Sequence, residues 1–412
     1  MEGFSELFLL RSQSFPWRPA AFWVTIATIS TVAAAFVALQ PGRLGDLRLV
    51  REWLHYWTAS GLSPYARFDN LDYPPIAFLV LWPLGLPSDA TAAYWFLPFG
   101  IGMLVIAAWT LLGWMSERIG INLATSDRVA LVAILVASGG ARTSLWLGQT
   151  AALSLLFGAL AVRWSRRRRY LAAFALALCG FKPHIAVGFG LAILLTAGID
   201  VIVLAAALTV FLSFLFALMV GDSLRVLTLE YAANLLAMYD GPNRVRGLLS
   251  LRFVLDDLIG AYGISTSIYL LLAVGCLASL VVFSRRRRDD AVTQTQVAVG
   301  CILWTILFLP HQLYNSMLAA PALWLLMWPE GGLVRSRTAR AITVAGYVLF
   351  GVFDIPRTLR LLTRWQPGFD WVVWMSYYLS PLRIVVIFAL ILWSLFRHTG
   401  AGSAARRDTT SQ

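Results

Sequence analysis

Asp46 follows the first long apolar run directly and opens a polar loop that extends to Asp72-Tyr73-Pro74-Pro75. A carboxylate where water, a membrane surface and a helical bundle meet is a candidate general base for chemistry on lipid-linked substrates. The same residue could instead cap a helix, since aspartate is among the best side chains at an N-cap. Lys182, the only lysine in the chain, is followed by a proline at the end of another apolar run. An ionisable group in such a setting is costly unless it is partnered or used, and an ammonium binds phosphate as a point charge; its ordinary reading is a lysine snorkelling at a helix end. Gln149 interrupts an apolar stretch in Leu147-Gly148-Gln149 and can bond a substrate or a neighbouring helix. His311 and Gln312 follow Pro310, with Tyr314 and Asn315 just beyond, a polar group at a helix break that suits a ligand.

Two further groups are less specific. Arg244 and Arg246 stand in one long loop and Arg357 in another, which makes them candidate phosphate or headgroup ligands, although long loops tolerate arginine without a function. Gly61 to Tyr65 and Asp72 to Pro75 punctuate the first loop, where Tyr65, Asp72 and Tyr73 could line a substrate cleft or the prolines could simply end the loop. Phosphate-cradling and dinucleotide glycine loops, metal-spaced His/Cys sets and a Ser-His-Asp order are all missing from the sequence, so neither metal nor cofactor is expected.

The elements that hold these residues must lie in a membrane. The 412 residues are 59% hydrophobic and 13% charged, against roughly 25% charged in soluble domains. Apolar runs recur from residue 21 to residue 396, many of them near bilayer length. The net charge of +12 does not indicate a nucleic-acid partner, because the arginines gather at the ends of apolar runs, as in Arg166 to Arg169 and Arg285 to Arg288. That is the positive-inside pattern, with anionic lipid headgroups as the natural secondary contact. Cys179, Cys276 and Cys301 all lie in apolar surroundings and form no disulfide framework. The first run, near 21–39, is too long for a signal-peptide core and is expected to be retained.

With the arginine clusters on the cytoplasmic side, the four apolar segments between Arg169 and Arg285 close as an even number of crossings. Four segments also lie between the first loop and Arg166, where an odd number is required. Either 76–87 or 129–138 should therefore dip without crossing. The expectation is an all-α polytopic bundle of about 12 spans, one domain over 1–400 with a polar tail at 401–412. Residues 46–58 should form an amphipathic helix lying on the membrane, with Leu47, Val50, Leu54 and Trp57 on one face and Arg48, Arg51, Glu52 and His55 opposite. Asp46, Lys182, His311 and the long arginine-bearing loops then share the extracytoplasmic face, which favours a one-sided site in a multi-pass protein of the cell membrane.

In order and spacing, Asp46, Gly61 to Tyr65, Tyr73-Pro74-Pro75, Gly148-Gln149, Lys182-Pro183 and the His311 break before Pro321-Ala322-Leu323 resemble glycosyltransferase family 87. This family contains the polyprenyl-phosphate-mannose-dependent α-mannosyltransferases of the GT-C superfamily. The resemblance runs to about residue 330. It implies a GT-C-type bundle and an inverting transfer from a polyprenyl-phosphate sugar to a lipid-linked or glycan acceptor at the outer face. Mannose is the sugar it suggests, with arabinofuranose or another hexose left open. Asp46 would take the acceptor proton. Lys182, His311, Arg244, Arg246 and Arg357 would face the donor phosphate, and Tyr65, Asp72, Tyr73, Gln149 and Gln312 the substrate. His311 lacks the second adjacent histidine of the family pattern. The alternative from another class is a lipid or glycan translocase that transfers no sugar.

Overall fold

A computed structural model describes residues 20–40, 44–69, 71–120, 123–239, 250–259, 262–309, 313–327, 379 and 381–397. Among these residues every regular element is helical and no strand occurs, as the apolar periodicity led one to expect.

Five helices are long and apolar enough to cross a membrane. They are α1 (Ala20–Ala38), α4 (Asp89–Ile119), α10 (Asp200–Val220), α13 (Tyr262–Arg286) and α14 (Ala291–Phe308). A sixth crossing arises if α5 (Thr125–Ala137) and α6 (Gly139–Leu147), bent by 54° at Ser138, act together as one span. The described residues thus hold five or six candidate spans; the expectation of about 12 also counted apolar segments at 341–353 and 371–396, and residues 328–378 lie outside the described residues. Within the described residues, the apolar segments are not all long helices. The apolar stretch 144–163 breaks at Gly148, whose φ of 74° ends α6 before α7 (Ala151–Trp164) begins. The α8 helix (Arg169–Cys179, 11 residues) and α9 (Pro183–Thr196, 14 residues) are each shorter than the ~20 residues a crossing needs. Segment 76–87 is likewise a short helix, α3 (Ile76–Leu81), followed by one 3-10 turn.

Helices α1, α10 and α13 turn most of their apolar surface outward, with Ile29, Phe36, Phe211 and Leu271 exposed. Such faces suit lipid, because every backbone group is already bonded inside the helix. Helix α14 is instead almost wholly enclosed, against α9 and α4.

Polar bonds mark two opposite ends of the bundle. At one end Arg163 pairs with Glu117 (2.6 Å), Arg169 with Asp200 (2.6 Å), and Arg166 caps the Thr196 carbonyl through Nη2 (2.9 Å). The first loop and the Lys182 turn lie at the other, since α10 runs from Asp200 to Val220, whose neighbourhood holds the loop's aromatic residues.

Helix α2 (Gly45–Ser60) forms where the amphipathic segment was expected, but its apolar face meets protein. Leu54 and Trp57 pack with Phe78 and Phe216, Trp57 and Phe216 meeting edge-on at 5.1 Å. Arg51, placed by spacing on the polar face, is 3% exposed and donates to the carbonyls of Leu84 (2.7 Å) and Pro87 (2.6 Å). A helix projection cannot anticipate the neighbouring 3-10 turn, whose unpaired carbonyls draw the guanidinium inward.

Candidate functional site

The α2 helix starts in a way that frees Asp46 from capping. Leu44 occupies the cap position in the left-handed region (φ 57°, ψ 40°) and supplies no side-chain bond, which places Asp46 in the first turn. The N-cap reading of Asp46 is therefore corrected. A leucine held at positive φ costs on the order of 1–3 kcal/mol, which the packing of its buried side chain beside Gly148 offsets. The positive end of the helix also favours a carboxylate there.

Gly148 is the second device. Its φ of 74° is one that L side chains avoid, and a Cβ at this position would stand 2.5 Å from the Leu47 Cβ. Only glycine lets the α6–α7 turn approach the start of α2 so closely. That approach brings Gln149 to Asp46: the Gln149 Nε2 donates to the Asp46 Oδ2. On its other side the Gln149 Oε1 accepts from the Lys182 Nζ at 2.8 Å. One amide thus spans a carboxylate and an ammonium that lie 136 residues apart in the chain.

Lys182 precedes the first residue of α9, and Pro183 at that position has no N–H to lose. Its ammonium lies 5.0 Å from the centre of the Tyr73 ring, a cation–π distance. The ring is fixed on several sides: it stacks on Phe181 (6.4 Å, 4° between planes), and its hydroxyl bonds the Thr150 Oγ1 at 2.9 Å. The Tyr65 hydroxyl donates to the Tyr73 carbonyl at 2.5 Å and pins the loop from below. Next to Lys182, the His184 Nε2 and Asn315 Nδ2 lie 3.3 Å apart.

Burial sets the electrostatics. It raises the Asp46 carboxyl above the usual range, and the Gln149 bond and the Lys182 charge pull it back in part. Asp72 is raised for the same first reason, opposed chiefly by Lys182. Lys182 is pushed down to about 8 by burial, against the pull of Asp72 and Asp46. Two carboxylates and one ammonium at the end of an apolar bundle can accept a proton and receive an anionic group together. Among the described residues no three His, Cys, Asp or Glu side chains gather as a metal site requires.

Of the residues expected from sequence, the structure assembles Asp46, Gln149, Lys182, Tyr73, Tyr65 and Asp72 at one end of the bundle. His311, Gln312, Arg244, Arg246 and Arg357 lie outside the described residues. Thr150 and His184 were missed as site residues. Each directly follows a singled-out motif, Gly148-Gln149 and Lys182-Pro183, and that adjacency was the available signal.

A match to the model for glycosyltransferase family 87 covers residues 70–310, more than half of the chain. The chain belongs to glycosyltransferase family 87. It is accordingly a glycosyltransferase, and the reading as a translocase without sugar transfer falls away. No curated protein matches it. The family 87 region contains Tyr73, Gln149 and Lys182, whereas Asp46 lies before it and joins these residues through the Gln149 amide.

Proposed function

We propose that this family 87 enzyme transfers a sugar, with inversion, from a polyprenyl-phosphate donor to a hydroxyl acceptor at the extracytoplasmic face, and that the sugar is mannose. The carrying observation is the Asp46–Gln149–Lys182 chain, which puts a proton acceptor and a cation on either side of one amide. Asp46 takes the acceptor O–H proton as the oxygen attacks the anomeric carbon. The bond from that carbon to the phosphate oxygen breaks, and the charge gathering on the leaving phosphate is met by Lys182. One base suffices for inversion, because no covalent sugar intermediate forms. A small, largely apolar pocket lined by Leu84, Phe96, Phe99, Met103, Gln149 and Thr150 lies beside the bridging amide.

The test uses purified protein, polyprenyl-phosphate mannose and candidate acceptors, and measures release of polyprenyl phosphate. Asp46→Asn retains shape and a hydrogen-bond acceptor toward Gln149, yet cannot take a proton. Turnover should fall about a hundredfold to ten-thousandfold with folding intact. Near-normal turnover would remove Asp46 from the mechanism and turn attention to Asp72.

A further inference from the structure

At the end of the bundle remote from Asp46, Arg118 in the last turn of α4 and Arg128 in the second turn of α5 share one arrangement. Each guanidinium lies over a tryptophan of α4, Arg118 over Trp114 at 5.8 Å and Arg128 over Trp109 at 6.0 Å. The Nε and Nη2 of Arg118 and the Nε of Arg128 are shielded from solvent and have no hydrogen-bond partner among the described residues. The nearby carboxylate does not serve them, because Glu117 is taken by Arg163 at 2.6 Å. Arg166 adds a further positive charge that acts on Arg118, with its own Nε and Nη2 committed to the Thr196 carbonyl. Shielded donors on a charged group are expensive to leave unmatched, and guanidinium is the side chain best shaped to grip a phosphate through two parallel bonds. Tryptophan and arginine near the ends of membrane-crossing helices are enriched at the headgroup level of a bilayer.

We propose that this end of the bundle binds the phosphodiester headgroups of anionic phospholipid at Arg118 and at Arg128, each over its own tryptophan. The lipid phosphate pairs with guanidinium groups whose donors the described residues leave unmatched, independently of the sugar-transfer site.

Delipidated full-length protein, titrated with phosphatidylglycerol or phosphatidylcholine and followed by native mass spectrometry, tests this. Phosphatidylglycerol should be retained on the wild type and phosphatidylcholine should not. Arg118→Gln and Arg128→Gln should each weaken retention roughly tenfold to a hundredfold. If a glutamine variant does not fold, Arg118→Lys, which keeps the charge but loses the fork, should still weaken it. Equal retention of the two lipids by the wild type, or undiminished retention in the folded variants, overturns the proposal. A parallel thermal-unfolding series with inorganic phosphate separates the sources: protection by phosphate equal to that by the lipid would make this a free-anion site and refute the lipid assignment.

Discussion

Replacing Gln149 with leucine removes in one step the amide that donates to Asp46 and accepts from Lys182, with little change in side-chain volume. The bond from Gln149 stabilises the ionised form of Asp46 and works against burial, which favours the protonated form. Without it the Asp46 pKa must rise further. A hydrogen bond to a charged group is worth about 1.5–3 kcal/mol, so its loss should raise the Asp46 titration enough to be read in a rate profile. Catalysis by ionised Asp46 is lost as pH falls through its pKa. The acid limb of the rate profile should therefore move to higher pH in Gln149→Leu, and the rate at neutral pH should drop by no more than the protonated fraction accounts for. Gln149→Glu should move the limb at least as far, because a second carboxylate opposes ionisation of the first. The assay is initial polyprenyl phosphate release at saturating and limiting donor across the acid and neutral range, with thermal unfolding run beside it. A limb that stays in place while the rate falls would refute Asp46 as the titrating base and leave Gln149 a purely structural bridge.

Lys182, pushed down to about 8, should impose an alkaline limb near that pH, since its ammonium is lost above it. Lys182→Arg should abolish that limb while lowering turnover, because a planar fork does not replace a compact ammonium. Lys182→Met should weaken use of donor more than it weakens folding, and unchanged donor kinetics would exclude the phosphate role. Gly148→Ala and Gly61→Ala form a matched pair, with φ of 74° and 69°. At Gly61 the space is open and the change should cost about 1 kcal/mol with activity retained. At Gly148 the clash with Leu47 should add ~1–3 kcal/mol and abolish most activity by displacing Asp46 from Gln149, as thermal unfolding and turnover together would show. A cysteine at exposed position Glu52 should be labelled from the side of the membrane opposite one at Arg287, and labelling of both from one side would overturn the two-ended arrangement.

What the sequence determined by itself was the solvent and the inventory. Continuous apolar runs closed by arginine leave the chain no soluble fold, and they specify helices because only helices satisfy their own backbone in lipid. The rarity of Lys182 and the position of Asp46 marked both as candidates, since an isolated charge among apolar residues is costly enough to need a reason. Lengths of crossing were not legible, because an apolar segment has the same composition whether it spans, bends at Ser138 or stops at Gly148. The polar face of α2 was misread at Arg51 because a helix projection holds no information about the carbonyls of Leu84 and Pro87, 33 and 36 residues away. Only the tertiary structure joined Asp46 to Lys182 through Gln149. That contact depends on the left-handed turns at Leu44 and Gly148 and on the missing Cβ between them. Such an approach is decided by the shapes of two distant backbones, and no local run of residues encodes it.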